Sequence, residues 1–175
     1  RHARWCGSSD RRLLARGERL AQVARTGLLI AMDRQIGQAQ VTPSADCREL
    51  PCPDLIVLAC KSGDVTALLA LMRPCLGPAT TFLTLQNGVE APQLVAQACP
   101  QTTVLASRVH GFFELQGGVV RHVGVTPSIT FGLAHGGRMA ALGELAHWLT
   151  AAGIAHHQAS DIGRELWEKL LLAAA

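Results

Sequence analysis

The sequence predicts an α/β protein in which helices flank a parallel β-sheet, and two patterns lead to this expectation. Apolar runs alternate with helical segments at short spacing along most of the 175 residues, which is typical of β-α-β units. The clearest run, residues 54–60, is apolar at every position after Asp54, as expected of a strand that is buried on both faces of its sheet. Beyond residue 116 Gly-rich turns separate the apolar runs, so we expect antiparallel strands to extend the sheet.

The hydrophobic period and the turn residues assign the individual elements. The predicted strands are residues 13–15, 27–32, 38–41, 54–60, 80–85, 103–106, 117–124 and 128–132. The predicted helices are residues 18–25, 65–72, 91–98, 138–152 and 162–175. The second and third strands are expected to pair around Asp33 and Gly37, and the Ser-Gly-Asp segment at 62–64 is expected to cap the next helix. His156 and His157 are assigned to a loop before the last helix.

Composition restricts the classes of function. With 49% hydrophobic and 17% charged residues, the chain can bury one sizeable core. Aromatic residues make up 4% of the chain and Tyr is absent, which removes the usual stacking platforms for single-stranded nucleic acid. The net charge of +3 is mild, and the Arg-rich first 25 residues are interpreted as a solvated face or a frayed end. No nucleic-acid partner is therefore predicted.

Cysteine usage and hydropathy indicate a reducing compartment without a membrane. The six cysteines lack the paired spacings of a zinc site, and no histidine pair has the helical spacing of a metal site. The basic start of the sequence is not followed by the apolar core of a signal peptide, so disulfides are not expected. No apolar run approaches the roughly 18 to 20 residues of a membrane span. We therefore expect a cytoplasmic protein that binds neither metal nor membrane.

Three polar residues follow successive apolar strands and precede a Gly turn or a helix: Arg16, Lys61 and Asn87. In dinucleotide-binding sheets, ligands bind outside the carboxyl ends of the strands. Taken singly, each residue is more simply explained as an ordinary polar strand end. Three in succession favour a shared ligand site.

Arg16 indicates which dinucleotide this site would bind. If its strand is the second of a dinucleotide-binding sheet, an acidic side chain there binds the ribose 2′-hydroxyl of NAD, whereas Arg accommodates the 2′-phosphate of NADP. A guanidinium offers paired donors to a phosphate, and Arg19 is a second cation nearby. The sequence therefore favours NADPH.

Five segments, at residues 13–20, 54–61, 85–90, 118–132 and 165–170, resemble ketopantoate reductase (2-dehydropantoate 2-reductase) in order and spacing. Together they cover roughly residues 12–175. The resemblance implies a Rossmann-like parallel sheet with flanking helices and an antiparallel extension, followed by a helical domain, with the active site in the cleft between the two domains. It also implies NADPH-dependent reduction of ketopantoate to pantoate, on the route to pantothenate and coenzyme A.

The resemblance also implies roles for individual residues. Arg16 would hold the 2′-phosphate, Lys61 would lie by the nicotinamide end of the cofactor, and Asn87 would contact both cofactor and keto acid. Lys169 would bind the substrate and donate the proton, because a nearby ammonium can stabilise and protonate the oxygen of a ketone that receives hydride. Burial near another cation such as Lys61 would lower the pKa of Lys169. Without the resemblance, Lys169 is a surface lysine paired with Glu165 at i, i+4.

The sequence also departs from the family. It contains no Gly-x-Gly-x-x-Gly turn, whose amides would bind the pyrophosphate. We therefore predict a fragment in which residues 1–11 are an atypical segment, residues 12–160 are an incomplete NADP-binding domain, and residues 161–175 are the first helix of a missing helical domain. We expect this fragment to bind NADPH weakly or not at all and to turn over nothing.

Ala173 leaves the substrate open, because many relatives carry Asn one turn after the catalytic Lys. One alternative is an NADP-dependent reductase of a different 2-keto or imino acid. Another is a non-catalytic remnant that serves a binding partner, which the missing glycine turn would favour. A homodimer of a full-length protein also stays open.

Overall fold

The computed structural model of the chain describes residues 11–32 and 35–174. The proposed atypical segment 1–11, except for Arg11, and Asp33 of the proposed hairpin lie outside the described residues. The chain divides into two compact units. Unit 1 comprises Cys52–Val109 and the chain from Ser128 onward, and unit 2 comprises the described residues up to Pro51 together with His110–Pro127.

Within the described ranges, nine strands and five α-helices form. The strands are β1 (Arg12–Leu14), β2 (Leu28–Met32), β3 (Gln35–Ala39), β4 (Thr42–Ser44), β5 (Leu55–Leu58), β6 (Thr81–Thr84), β7 (Thr103–Gln116), β8 (Val119–His135) and β9 (Ala155–Gln158). The helices are α1 (Gly17–Thr26), α2 (Val65–Met72), α3 (Ala91–Ala98), α4 (Ala140–Ala151) and α5 (Ile162–Ala174). No described helix is both long enough and apolar enough to cross a membrane.

Unit 2 combines parallel and antiparallel pairs. β1 pairs in parallel with β4, and β2 pairs antiparallel with β3 and in parallel with the start of β8. The turn between β7 and β8 is made by Gly117 at φ 55° and Gly118 at φ 82°. Two consecutive positive φ angles match the twist of a two-residue hairpin and favour glycine at both positions.

Unit 1 holds the parallel sheet that the sequence predicts. β5, β6 and the start of β7 pair in parallel, with Leu55 opposite Thr81 and Thr81 opposite Thr103. β7 neighbours the second half of β8, which pairs in parallel with β9. The α/β class, with a parallel sheet, flanking helices and an antiparallel extension, is therefore confirmed.

The core of unit 1 lies on both faces of this sheet. One face packs against α4 through buried residues that include Leu105, Phe131 and Leu145. The other face contacts α5, whose Ile162 and Leu166 pack on Ala106 of β7. Burial of one such large side chain stabilises the fold by about 1.5–3 kcal/mol, so both helices are firmly attached to the strands that carry the site.

The predicted bounds of α2 and α3 are confirmed, whereas four assignments are wrong. β5 is not buried on both faces, because it is the last strand in the order of the sheet and Val57 is 48% exposed. His156 and His157 lie in β9 rather than in a loop, because a partly exposed strand needs only main-chain partners and no apolar run. Gly37 lies inside β3 rather than at the turn. Ser62–Asp64 form a 3-10 turn, and no side chain caps α2.

Candidate active site

The carboxyl ends of β5 and β6 are fastened together by the buried side chain of Gln86. Its Nε2 donates to the carbonyl oxygens of Leu58 and Cys60, both at 3.0 Å. The backbone N–H of Leu85 donates to the same Leu58 oxygen at 3.1 Å. These bonds fix the two loops that carry Lys61 and Asn87 beside one another, as the strand-end argument requires.

Lys61 and Asn87 lie at the start of these loops. Asn87 is followed by Gly88 at φ 95°, a conformation that side chains disfavour. The carbonyl oxygen of Asn87 accepts a hydrogen bond from Ser62 Oγ at 3.4 Å. Lys61 is exposed, and its ammonium makes no ion pair within the described ranges. The loops therefore offer an exposed cation and an amide at neighbouring strand ends.

Helix α5 brings Lys169 to the same edge of the sheet. Ile162 and Leu166 are 3% and 7% exposed, and Lys169 continues their stripe at the i, i+4, i+7 spacing of one helix face. Gly132 of β8 lets the helix approach, because a Cβ at this position would lie 2.8 Å from Cβ of Ile162. Lys169 is therefore on the buried face of the helix rather than on its solvent face.

The ammonium of Lys169 has two partners. Nζ donates to Oδ1 of Asn87 at 3.0 Å and to the carbonyl oxygen of Val109 at 3.1 Å. An ammonium has three N–H donors, and the third has no partner among the described residues. The structure thus joins two of the predicted site residues and leaves one donor for a ligand.

Burial lowers the pKa of Lys169, and the positive charge of Arg108 lowers it further. The predicted direction of this pKa shift agrees, but the cation is Arg108 rather than Lys61. Glu165 does not pair with Lys169: its Oε2 accepts from Nη1 of Arg108 at 2.8 Å. The alternative of a surface lysine paired at i, i+4 is therefore wrong.

Arg16 belongs to unit 2, where it precedes α1 with an extended backbone and an exposed side chain. Its side chain makes no capping hydrogen bond. The nearby cation Arg19 donates to Oε1 of Gln22 at 3.0 Å. Arg16 follows its strand as predicted, and its role in binding a phosphate stays a prediction.

Sequence comparison assigns the family. The family described as Ketopantoate reductase PanE/ApbA matches residues 7–136. The chain belongs to this family. The resemblance inferred from the five segments is therefore confirmed.

Two curated relatives are named 2-dehydropantoate 2-reductase. The relative from Mesorhizobium japonicum is 30% identical over 185 residues, which is 94% of this chain and 56% of that protein. The relative from Halobacterium salinarum is 33% identical over 160 residues, which is 89% of this chain and 51% of that protein. The chain thus spans about half the length of the curated relatives it matches.

A solved structure supports the same assignment. The crystal structure of a PanE/ApbA family ketopantoate reductase from Ralstonia eutropha superposes with a TM-score of 0.80 at 28% sequence identity. The match covers 94% of this chain and 53% of that one. The ketopantoate reductase fold therefore extends over nearly the whole chain.

Sequence reasoning missed two side chains of this candidate site, Arg108 and Gln86. Arg108 had a usable signal, because a charged residue in the otherwise uncharged stretch 103–109 needs a partner to be buried. Gln86 had none, since its role depends on which carbonyl oxygens the neighbouring strand presents. In the described ranges no cluster of His, Cys, Asp or Glu could hold a metal ion.

Proposed function

We propose that this chain carries the catalytic lysine and the nicotinamide side of an NADPH-dependent 2-dehydropantoate 2-reductase, which reduces ketopantoate to pantoate. The observation that carries the proposal is the hydrogen bond of 3.0 Å between Lys169 Nζ and Asn87 Oδ1. It joins the predicted proton donor to the residue predicted to contact both substrate and cofactor.

Lys169 supplies the proton of the proposed reaction. NADPH, when bound, supplies hydride to the carbonyl carbon of the 2-keto acid and leaves as NADP⁺. Negative charge then develops on the carbonyl oxygen, where the third N–H of Lys169 stabilises it and transfers a proton. Lys169 is left as a neutral amine, which solvent reprotonates. Its lowered pKa favours this transfer at neutral pH.

Each unit by itself offers donors of a type that NADPH binds. Arg16 is exposed at the start of α1 without a capping bond, so its guanidinium is available to the 2′-phosphate. Lys61 and Asn87 offer an ammonium and an amide at adjacent strand ends, which suits the nicotinamide end. The middle of the cofactor has no matching turn, because the sequence lacks Gly-x-Gly-x-x-Gly.

This gap supports the prediction that the 175 residues alone bind NADPH weakly and turn over nothing. The cytoplasmic location, a homodimeric assembly and the absence of nucleic-acid or membrane partners also stay predictions. So does the division at residues 11 and 160 into an atypical segment, an NADP-binding domain and the start of a helical domain.

Ala173 favours a second candidate, a related NADP-dependent reductase of another 2-keto acid. Its methyl side chain cannot hydrogen-bond a substrate hydroxyl, and a binding site built for a hydroxyl discriminates strongly only when its polar partner is present. A panel of 2-keto acids distinguishes the two candidates: ketopantoate should be reduced with the highest kcat/KM, and a preference for an unhydroxylated acid would favour the second.

One variant distinguishes the proposed reductase from a non-catalytic binding module. NADPH oxidation is followed with the protein expressed from the complete gene, with and without Lys169→Met. We expect the variant to lose about 10²- to 10⁴-fold in kcat, the usual contribution of general acid catalysis, while its affinity for NADPH is nearly kept. If the unaltered protein oxidises no NADPH with any 2-keto acid, the proposal fails.

A further inference from the structure

We propose that Arg108 is a positioning residue for Lys169, because it holds the carboxylate of Glu165 that would otherwise pair with the Lys169 ammonium. The proposal rests on the proposed function of Lys169 as the proton donor. It adds a residue to which neither the sequence nor the family comparison assigns a role.

The competition follows from the spacing on α5. Glu165 lies four residues before Lys169, and a Glu that precedes a Lys at i, i+4 is the favourable orientation of a helical ion pair. The carboxylate is instead engaged from β7: Oε2 lies 2.8 Å from Nη1 of Arg108. The same guanidinium nitrogen lies 3.5 Å from the carbonyl oxygen of Glu165. Arg108 therefore holds both the side chain and the backbone of the competing residue.

This ion pair is partly shielded from water. The side chains of Arg108 and Glu165 are only 19% and 31% exposed. Charges attract more strongly where solvent screening is reduced, and breaking such a pair leaves an uncompensated charge behind. Glu165 is thus held by more than a surface contact.

Glu168, the second glutamate near Lys169 in the sequence, also forms an ion pair with an arginine. Glu168 accepts from Nε of Arg164 at 2.8 Å. The direct partners of the Lys169 ammonium are the Asn87 amide, on the loop after β6, and the Val109 carbonyl, on β7. Both partners are neutral, and no carboxylate of residues 11–32 or 35–174 pairs with Lys169.

Two adjacent residues of β7 bind Glu165 and Lys169 separately. The side chain of Arg108 takes Glu165, and the carbonyl of Val109 accepts from Lys169. The positive charge of Arg108 and burial both lower the pKa of Lys169. Loss of Arg108 therefore removes a repulsive charge and frees an attractive one, and both changes favour the ammonium.

The protonation of Lys169 can be measured directly, because the sequence contains only two lysines, Lys61 and Lys169. Trace acetylation with acetic anhydride at a series of pH values, read by mass spectrometry, reports the deprotonated fraction of each amine. Exposed Lys61 serves as the internal reference. Lys169 in the unaltered protein should be acetylated with a midpoint below the ordinary range of lysine, about 10.4.

The decisive comparison is Arg108→Met with and without Glu165→Gln. Met keeps the packing of the Arg stem, and circular dichroism checks that each variant is folded. The single variant should raise the Lys169 midpoint by about one pH unit or more, since an opposite charge within 4–6 Å has this effect. The double variant should lie between the single variant and the unaltered protein, because only the repulsion of Arg108 is lost.

Equal midpoints in the single and double variants would overturn the proposal, because Glu165 would then not reach Lys169. If Arg108→Met does not fold, Arg108→Gln is compared with its own double variant under the same criterion. Acetylation does not depend on turnover, so its failure leaves the proposed reductase function standing. In an active protein, the basic limb of the kcat/KM pH profile should move upward in Arg108→Met and partly return in the double variant.

Discussion

Lys169 and Asn87 are 82 residues apart in the sequence, and their side chains meet at 3.0 Å. Asn87 lies on the loop after β6, and the Gln86 side chain hydrogen-bonds this loop to the end of β5. Lys169 lies on the same face of α5 as Ile162 and Leu166. Both elements rest on the same parallel sheet. The pair therefore brings a neutral acceptor to a partly buried ammonium, the arrangement that a proton donor at neutral pH requires.

If the proposed function is right, the protein expressed from the complete gene should lose kcat/KM as pH rises through the lowered pKa of Lys169. In the proposed reaction the ammonium is the proton donor, so its protonated form is needed, and burial together with Arg108 makes that form less stable. The basic limb should consequently lie below the ordinary range of lysine, about 10.4. A pH profile of kcat/KM checks this, and a profile that stays flat up to that range would contradict it.

The same pKa shift links Lys169 to folding stability. Because its pKa is lowered in the folded protein, the unfolded chain binds this proton more tightly. The contribution of Lys169 to stability is therefore fully present above the unfolded pKa and is lost as pH falls through the folded pKa. Urea unfolding at several pH values should show a smaller rise of stability with pH for Lys169→Met than for the unaltered protein. Identical slopes for the two proteins would exclude the linkage.

Asn87→Asp should convert the neutral acceptor of Lys169 into an ion-pair partner. A carboxylate within 4–6 Å of the ammonium raises its pKa by about 1–3 units, so the basic limb of kcat/KM should move up and kcat at neutral pH should fall. Gln97→Glu on the exposed side of α3 adds the same charge elsewhere and serves as the control. An unchanged profile in Asn87→Asp would show that the two side chains do not interact in solution.

Gly132→Ala should displace α5 and with it Lys169. The added methyl would lie 2.8 Å from Cβ of Ile162 and 3.0 Å from the carbonyl oxygen of Ala159, and overpacking of this kind costs about 1–3 kcal/mol. Gly143→Ala is the matched control, since the position is helical and has no heavy atom within 4 Å. It should stabilise the fold by about 0.5–1 kcal/mol. Thermal unfolding measures both, and equal effects would remove the proposed role of Gly132.

In the protein expressed from the complete gene, Arg16→Gln should weaken NADPH binding selectively. Loss of a hydrogen bond to a charged group costs about 1.5–3 kcal/mol, or roughly 10- to 150-fold in KM for NADPH. NADH lacks the 2′-phosphate, so its KM should be unchanged. Arg25→Gln, in the last turn of α1, removes the same charge at another position and should affect neither cofactor. An equal effect of Arg16→Gln on both cofactors would argue against phosphate recognition.

Local chemistry made much of the fold predictable. The helices at Val65–Met72 and Ala91–Ala98 were delimited by their periodicity and flanking turns, and the apolar run at 54–60 identified β5. That run did not reveal that one face of β5 is open at Val57. β9 was not predictable, because Ala155–Gln158 has no apolar run and becomes a strand through its main-chain bonds to β8. The antiparallel pair β2–β3 was expected, but its register was not, since that depends on the turn.

By itself the sequence determined the fold class, the family and the identity of the residues at the strand ends, because hydrophobic period, turn residues and short motifs are local properties. Only the tertiary structure decided which charges meet. Glu165 had two potential cationic partners, Lys169 on its own helix and Arg108 on β7. Because α5 packs against Ala106 and Gly132, the Glu165 carboxylate forms its ion pair with Arg108. Ion pairing depends on distance and burial in three dimensions, and neither can be read from spacing along the chain.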